Sequence, residues 1–418
     1  KNTTGSSVDS DAASNTTLPN PPAAPTGLAI TTPVTSTNQL ALTWTDNADN
    51  EVSYEVERSE NGGGFTAIAT GLAANLTSYT ATGLSANTLY AFRVRARNTG
   101  GESGYSTSSS LLTLPDAPGG LSATVPGPPT GITQINLSWS APGGSGTITG
   151  YKLDYATSAG FSPATTVDVG GTSHSLPSLS PNTQYFFRVR ALNSSGESAN
   201  SGQADATTLP TPPTAPTGLS ATASSTSPND INLTWTDAAT NETGYEVERS
   251  TNTNGSFSKI ADLGANATSY ASGGLSSNTT YFYRVRAKNT GGESGYSNEA
   301  SALTIPDAPG SLAVSVPSPP DGITKLSLTW NAPSGTLTGY DLEYATNAGF
   351  TGSTVAPVPV GTSFTLAGLT QNTTYHLRLR AKNATGPSPN SNAVSATTLP
   401  NPPGVPAFQA TTNVSANG

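Results

Sequence analysis

The side chains able to perform acid–base or nucleophilic chemistry are few in this chain, and they are scattered. Only two histidines occur among 418 residues, His174 and His376, and there is no cysteine. Nucleophilic catalysis by a thiol and thiolate metal sites are therefore excluded. His174 aligns with an aromatic residue in the other repeats described below, and His376 lies one step off the Tyr/Val face of its motif. We predict packing roles for both, and no catalytic, cofactor-binding or metal-binding residue, because catalysis needs groups that converge.

One acidic cluster has a composition that could suit a hard cation. Asp46, Asp49 and Glu51 lie in the segment DNADNE, and calcium prefers clustered oxygen ligands. The segment lacks the glycine and the terminal glutamate spacing of an EF-hand loop. Its counterpart DAATNE keeps Asp237 and Glu242 but loses the middle aspartate. We predict a turn whose Asp and Asn residues serve turn geometry, with calcium binding as the alternative.

The elements that must position these residues are repeated four times. One motif is an alternating run that ends in tryptophan, in the forms LALTW, INLSW, INLTW and LSLTW. Leu and Trp share one face of this run, as in a half-buried β-strand. A second motif begins with tyrosine and carries alternating arginines, as in YAFRVRARN, and a turn such as LSANT precedes it. The tryptophans are 95, 96 and 95 residues apart, at Trp44, Trp139, Trp235 and Trp330.

These motifs together resemble a known extracellular module. A tryptophan on the second strand, a tyrosine-led strand with alternating arginines and a following N-x-x-G-x-S loop, here NTGGESGYS, are similar to the fibronectin type III pattern. The resemblance covers roughly residues 21–400 in four copies. It implies an all-β fold of four tandem seven-stranded antiparallel, immunoglobulin-like sandwiches, each with sheets of about three and four strands. It further suggests a tandem array of a prokaryotic secreted or surface protein.

The four copies alternate between two types, which we call A and B. The first and third share YEVERS and NTGGESGYS, whereas the second and fourth share GYKLDYATSAGF or GYDLEYATNAGF. Proline-rich linkers join them, and such linkers act as semi-rigid spacers. The first 22 residues match 382–403, and 401–418 match 20–37, so we expect a longer array. The predicted boundaries are 1–20 (last strand of a preceding domain), 21–115 (domain 1, A), 116–210 (domain 2, B), 211–306 (domain 3, A), 307–400 (domain 4, B) and 401–418 (first strand of a following domain).

The resemblance also bears on the arginines, which might otherwise suggest an anion site. In the family fold, acidic residues of the neighbouring strand face outwards beside them, so we predict cross-strand ion pairs. Phe161 and Phe350, in the segment AGF, are candidates for exposed contacts with sugars or a neighbouring chain, or else pack under a loop. The arginine pairs are Arg93/Arg95, Arg188/Arg190, Arg284/Arg286 and Arg378/Arg380; the acidic residues are Glu55/Glu57, Asp154 (with Lys152 beside it), Glu246/Glu248 and Asp341/Glu343.

Composition restricts the partners. A net charge of −9 argues against nucleic acid, which requires basic stripes, and against anionic lipid. No stretch approaches the ~20 apolar residues of a membrane helix, so we predict no membrane insertion in this segment. The polar, low-lysine sequence favours a secreted or cell-surface location. The partners left open are neighbouring domains, copies of the same chain in a filament, and surface glycans.

These features favour a non-catalytic extracellular structural array, a stiff spacer or filament-forming segment, rather than an enzyme. Each domain spans roughly 30–35 Å, so four would reach ~130 Å if extended. Two alternatives remain. The chain could be an adhesin or carbohydrate-binding module, or the spacer region of a secreted hydrolase or phage tail protein, because a fold does not determine a function.

Overall fold

The structure, a computed structural model, describes residues 15–34, 36–252 and 255–406. The predicted terminal fragments therefore lie largely outside the described residues. The rest forms four β-sandwiches, with no α-helix in the described ranges, as the sequence predicts. The chain divides into two compact units between Thr211 and Pro212, so each unit holds one A and one B domain.

In the first unit, each domain contains eight strand segments. Domain 1 has β1 (Thr26–Thr31), β2 (Leu40–Thr45), β3 (Ser53–Glu60), β4 (Thr66–Ala73), β5 (Ser78–Ala81), β6 (Leu89–Asn98), β7 (Gly101–Glu102) and β8 (Ser109–Leu112). Domain 2 has β9 (Gly119–Thr124), β10 (Ile135–Ser140), β11 (Gly150–Ala156), β12 (Thr165–Val169), β13 (Ser173–Leu176), β14 (Gln184–Asn193), β15 (Gly196–Glu197) and β16 (Ala204–Thr207), with a 3-10 turn at Thr130–Ile132.

The second unit repeats this order. Domain 3 has β17 (Thr217–Ala223), β18 (Ile231–Thr236), β19 (Gly244–Ser250), β20 (Ser258–Gly264), β21 (Ser269–Ser272), β22 (Thr280–Asn289), β23 (Gly292–Glu293) and β24 (Ala300–Leu303). Domain 4 has β25 (Gly310–Ser315), β26 (Lys325–Asn331), β27 (Gly339–Ala345), β28 (Thr354–Val358), β29 (Ser363–Ala367), β30 (Thr374–Lys382) and β31 (Val394–Thr397), with a 3-10 turn at Asp321–Ile323.

Each sandwich packs a three-stranded sheet against a larger one. In domain 1 the smaller sheet has the order β1-β2-β5, and the larger has β4-β3-β6-β7, with β8 also paired to β6. All of these pairs are antiparallel. In domain 4 the larger sheet has only four strands, because Pro387 forms a single bridge with Lys382 where the other domains have a two-residue strand. Proline has no N–H to donate to a ladder.

The seventh strand is interrupted in domains 1 to 3, which makes eight segments where seven strands were expected. Between β7 and β8, Ser103 and Ser106 turn their hydroxyls towards β6. The Ser103 Oγ accepts the N–H of Ala96 at 2.8 Å, and the Ser106 Oγ accepts the N–H of Val94 at 3.1 Å. The serines of the N-x-x-G-x-S motif thus satisfy buried backbone donors that a continuous strand would otherwise satisfy.

The core of each sandwich follows from the alternation seen in the sequence. In β2, Leu40, Leu42 and Trp44 are buried, whereas Ala41 is half-buried and Thr43 and Thr45 are exposed. The Trp44 ring contacts Tyr54 of β3 with centroids 5.7 Å apart. The same tryptophan–tyrosine contact recurs in the other three domains, with centroids 5.1 to 5.8 Å apart. Each domain therefore has its own hydrophobic cluster.

Candidate functional site

The two histidines occupy strand positions in separate domains. His174 of β13 pairs with Leu137, as Tyr79 of domain 1 pairs with Leu42. His174 thus has the same strand register as an aromatic residue of domain 1. His376 of β30 pairs with Ala345 and Ser395 on the outer phase of its strand. Both histidines are partly buried within their own sheets.

The DNADNE segment forms turns. Asp46 Oδ1 accepts the N–H of Ala48 at 3.0 Å, which closes an Asx turn. Glu51 is buried, and its Oε1 accepts the N–H of Asn75 at 2.9 Å, so it ties two loops together. Domain 3 repeats both contacts through Asp237 and Glu242. In the part of the chain that the structure describes, no group of three or more acidic, histidine or cysteine side chains is placed to hold a metal ion.

The arginines and acidic residues of domain 1 form a connected network on the outer face of the larger sheet. Glu55 lies between Arg95 and Arg97, at 2.8 and 2.6 Å, and its side chain is only 3% exposed. Glu102 of β7 pairs with the same two arginines from the exposed side. Glu57 pairs with Arg93 at 2.5 Å. The register sets these contacts, because Glu55 stands opposite Arg95 and Glu57 opposite Arg93.

The B domains form a smaller version of this network. In domain 2, Asp154 accepts from Arg188 at 3.1 Å and lies 3.3 Å from Arg190. In domain 4, Glu343 pairs with Arg378 at 2.7 Å. Asp341 stands opposite Arg380 in the register but forms its ion pair with Lys382 at 2.7 Å. Pro387 stands where the other domains have a glutamate, and the buried Nε of Arg380 has no hydrogen-bond partner, as is also the case for Arg95 and Arg190.

Aromatic rings cover this charged face, and the A domains cover more of it than the B domains do. The guanidinium of Arg93 lies 4.3 Å from the centroid of Phe65 and 3.7 Å from that of Tyr105. The Tyr105 hydroxyl donates to Glu57 at 2.6 Å. Domain 3 repeats the stack through its equivalent residues. The sequence reasoning missed Tyr105, although both A domains carry this tyrosine in NTGGESGYS and neither B domain does.

In the B domains a single phenylalanine fills this role. Phe161 lies 4.2 Å from the guanidinium of Arg188, and Phe350 lies 4.1 Å from that of Arg378. Both rings are partly buried, and both residues have a φ of 52°. One face of each ring is therefore occupied by an arginine of its own domain.

One buried or half-buried carboxylate in each domain has a lowered pKa, and in domain 3 the exposed Asp262 has a lowered pKa as well, because Lys288 and Lys259 bond to it. For three of the four less exposed carboxylates, burial acts to raise the pKa, but it is outweighed by hydrogen bonds from tyrosine, threonine or arginine and by the arginine charges. In domain 4 the largest cause is the hydrogen bond from Arg378, which lowers the pKa. The four residues are Glu57, Asp154, Glu248 and Glu343.

We expect the chain to lose stability in acid because of these four groups. A carboxylate whose pKa is lower in the folded state stabilises the fold fully above its unfolded pKa, about 4, and this stabilisation is lost as the pH falls through the folded value. Calorimetric melting temperatures should therefore be steady from about pH 6 to pH 5 and fall below about pH 4. In the variant Glu57→Gln, the melting temperature of domain 1 should decrease less steeply as the pH falls. A melting temperature that stays constant down to pH 2 would contradict this.

The proline-rich segment that leads into β1, residues 19–25, is attached to domain 1. Asn98 Nδ2 donates to the carbonyl of Asn20 at 2.8 Å, and Asn47 Nδ2 donates to the carbonyl of Ala24 at 2.9 Å. Pro19 lies so close to Gly100 that a Cβ at position 100 would stand 1.6 Å from the Pro19 carbonyl oxygen. The segment is thus a packed part of the domain.

Domain 3 holds its own leading segment in the same way. A Cβ at Gly292 would lie 3.4 Å from Pro212, as one at Gly101 would lie 3.4 Å from Pro21. A Cβ at Gly295 would likewise lie 3.9 Å from Ala215. The NTGGESG segments of both A domains therefore lie in contact with the leading segment, although, of Gly100, Gly101, Gly292 and Gly295, only the first comes close enough to require glycine.

The comparisons with known proteins agree with this architecture. The fibronectin type III domain model matches residues 23–111, 116–207, 214–302 and 307–397. Fibronectin type-III domain-containing protein 3A of Homo sapiens is 27% identical over 98% of this chain and 35% of its own length. Exoglucanase B of Cellulomonas fimi is 32% identical over 70% of this chain and 26% of its own length. A crystal structure of chicken CNTN1 FN1-FN3 domains is 22% identical, with a TM-score of 0.33, and covers 68% of this chain.

This chain spans about a third or less of the length of the two curated relatives. Within the described ranges, no helix is both long and apolar enough to cross a membrane. The family model accounts for four successive stretches that together make up most of the sequence. The chain therefore belongs to the fibronectin type III domain family.

Proposed function

We propose that this chain is a non-catalytic structural array that acts as a stiff spacer or filament-forming segment of a secreted or cell-surface protein. The attachment of the leading segment to both A domains carries this proposal. Residues 19–25 are bonded to domain 1, and Pro212 and Ala215 pack on domain 3, so these linkers extend the folded part. A linker fixed to its domain leaves little freedom for bending.

The ion pairs and aromatic contacts on the outer face of each larger sheet support the same role. Most of the arginines on these faces are paired with carboxylates or stacked on rings of their own domain, which suits a surface that stays soluble and does not associate through its sheets. A prokaryotic origin is part of the proposal, supported by the absence of cysteine and by the similarity to a bacterial protein. That relative's name, Exoglucanase B, also supports the alternative of a spacer within a larger enzyme.

Small-angle scattering of the whole chain tests the spacer role. A stiff array should give a rod-like profile with a largest dimension of about 130 Å, the length expected for four domains in series. Replacement of Pro212 and Pro213 by glycine, in the segment between domains 2 and 3, should increase the flexibility in the profile. A compact particle, or the profile of freely jointed beads, would rule out a stiff spacer, and binding to a glycan array would favour the adhesin alternative.

A further inference from the structure

We propose that each A domain and the B domain that follows it form one rigid body. The two domains are held together by an asparagine of the A domain whose side chain is hydrogen-bonded to the B domain. We call this contact the asparagine joint; it comprises Asn87 and Asn193 in the first pair, and Asn278 and Asn383 in the second. The inference concerns the orientation of two neighbouring domains. It does not depend on the array acting as a spacer.

In the first pair, domain 2 uses every polar group of the Asn87 side chain. Asn87 Nδ2 donates to the carbonyl of Gly146 at 2.7 Å, and its Oδ1 accepts from Asn193 Nδ2 at 3.1 Å. The Asn87 carbonyl also accepts the N–H of Gly146 at 2.7 Å. Asn193 Nδ2 makes a second bond to the carbonyl of Thr113, at 2.8 Å. Asn87 is 1% exposed and Asn193 is 7% exposed.

The turn that presents Asn87 is held firmly by its own domain. Asn87 has a φ of 46°, and its N–H donates to the carbonyl of Leu114 at 3.0 Å. Two residues earlier, the N–H of Ser85 donates to the Tyr90 hydroxyl at 3.0 Å. The buried Thr113 accepts the N–H of Thr88 at 2.9 Å. The asparagine is therefore presented on a rigid support.

Domain 2 receives this turn with glycines because the backbones approach closely. A Cβ at Gly144 would lie 2.7 Å from Asn87 Cβ and from the Asn87 carbonyl oxygen. A Cβ at Gly146 would lie 2.6 Å from Leu112 and 2.7 Å from Asn87 Oδ1. Only glycine fits such an approach without a shift of the chain.

The second pair rebuilds the joint on a loop of different length. The loop before β11 has nine residues, 141–149, whereas the loop before β27 has seven, 332–338. Even so, Asn278 Nδ2 donates to the carbonyls of Ser334 and Thr336, at 2.9 and 3.2 Å. Asn383 Nδ2 donates to Asn278 Oδ1 at 2.9 Å and to the Thr304 carbonyl at 2.8 Å. Two loops of different length therefore form the same kind of side-chain hydrogen bonds with the asparagine of the A domain.

The B domains carry the same turn without this contact, and they provide a matched comparison. Asn182 and Asn372 have φ values of 48° and 47°, and both side chains are exposed. Their turns are supported by the same tyrosine hydroxyl, from Tyr185 and Tyr375. The turn therefore exists for its own geometry in every domain. Its asparagine is buried in domain 1 and half-buried in domain 3, whereas it is exposed in both B domains.

Distance measurements by pulsed electron paramagnetic resonance test this in the full chain. The protein has no cysteine, so Thr70→Cys in domain 1 and Thr165→Cys in domain 2, both exposed, take spin labels at those two positions alone. The test variant is Asn87→Gly and the matched control is Asn182→Gly, because glycine tolerates the positive φ of either turn. The parent and the control should show one narrow distance distribution, and Asn87→Gly should broaden it at least twofold.

Two further readouts separate loss of the joint from loss of the fold. Asn193→Ala breaks the joint from the domain 2 side and should broaden the distribution as Asn87→Gly does, whether or not the latter folds. Circular dichroism should show unchanged sheet content in the variants used. A parent distribution as broad as that of the variants, or variant distributions as narrow as the parent's, would overturn the proposal. The spin labels report only on domains 1 and 2, whereas the scattering profile reports on the whole chain, so the two tests can fail separately.

Discussion

Replacement of Trp139 by alanine should lower the free energy of unfolding of domain 2 by about 3–5 kcal/mol, the range for truncating a buried tryptophan. Trp139 is 6% exposed, belongs to the core cluster of its domain and contacts Tyr151 with ring centroids 5.4 Å apart. Removing the indole leaves a cavity among side chains from both sheets, which cannot collapse freely because the strand registers hold them apart. A single domain is stable by only about 5–15 kcal/mol, so domain 2 should become marginal.

The measurement is urea unfolding of the whole chain, followed by circular dichroism and fluorescence. Each domain holds one of the four tryptophans, so the variant reports fluorescence from domains 1, 3 and 4 only. Circular dichroism should show a first transition at low urea concentration, from the unfolding of domain 2. The fluorescence of the tryptophans in domains 3 and 4 should not change in this transition. Trp139→Phe, which keeps a ring against Tyr151, is the control and should lose less stability. A cost below about 1 kcal/mol for the alanine variant would show that the indole is not a core anchor.

Replacement of Glu55 by glutamine should destabilise domain 1 by about 3 kcal/mol, the lower end of the cost of breaking a buried ion pair from one side. The Glu55 side chain is 3% exposed and lies between Arg95 and Arg97. An amide of the same shape removes the charge but leaves two guanidinium groups close together. Arg95 is only 17% exposed, so water compensates it poorly.

Glu102→Gln is the matched control, because Glu102 pairs with the same two arginines. Its side chain is 41% exposed, and a pair at the surface contributes about 0.2–1 kcal/mol. The two variants thus differ in burial and not in chemistry. Urea unfolding of both, at low and high salt, should show the larger cost for Glu55→Gln and stronger screening for Glu102→Gln. Equal costs would mean that burial does not govern this network.

Much of this architecture follows from local pattern. The alternation of LALTW predicts that Leu40, Leu42 and Trp44 share an inner face, and the structure confirms that all three are buried. The resemblance to the fibronectin type III pattern predicts that acidic residues face outwards beside the arginines of YAFRVRARN, and the ion pairs of Glu55 and Glu57 confirm this. The division between the two compact units falls at Thr211 and Pro212, between domains 2 and 3.

Other features required the tertiary structure, because they depend on groups that are distant in the chain. Glu55 and Glu102 look alike as residues, but Glu55 lies on β3, between β4 and β6, whereas Glu102 lies on β7 at the edge of the sheet, so the first is buried and the second exposed. Asp341 binds Lys382 and not Arg380, although register alone would pair it with the arginine.

The LSANT turn shows where the sequence stops being sufficient. All four domains have an asparagine at the same position of this turn, and its backbone conformation is the same in each. Whether that asparagine is buried is decided by the domain that follows, through glycines and an asparagine more than fifty residues away. Strand and turn preferences are local and can be read from spacing. A joint between domains depends on two surfaces meeting, and only the folded chain brings them together.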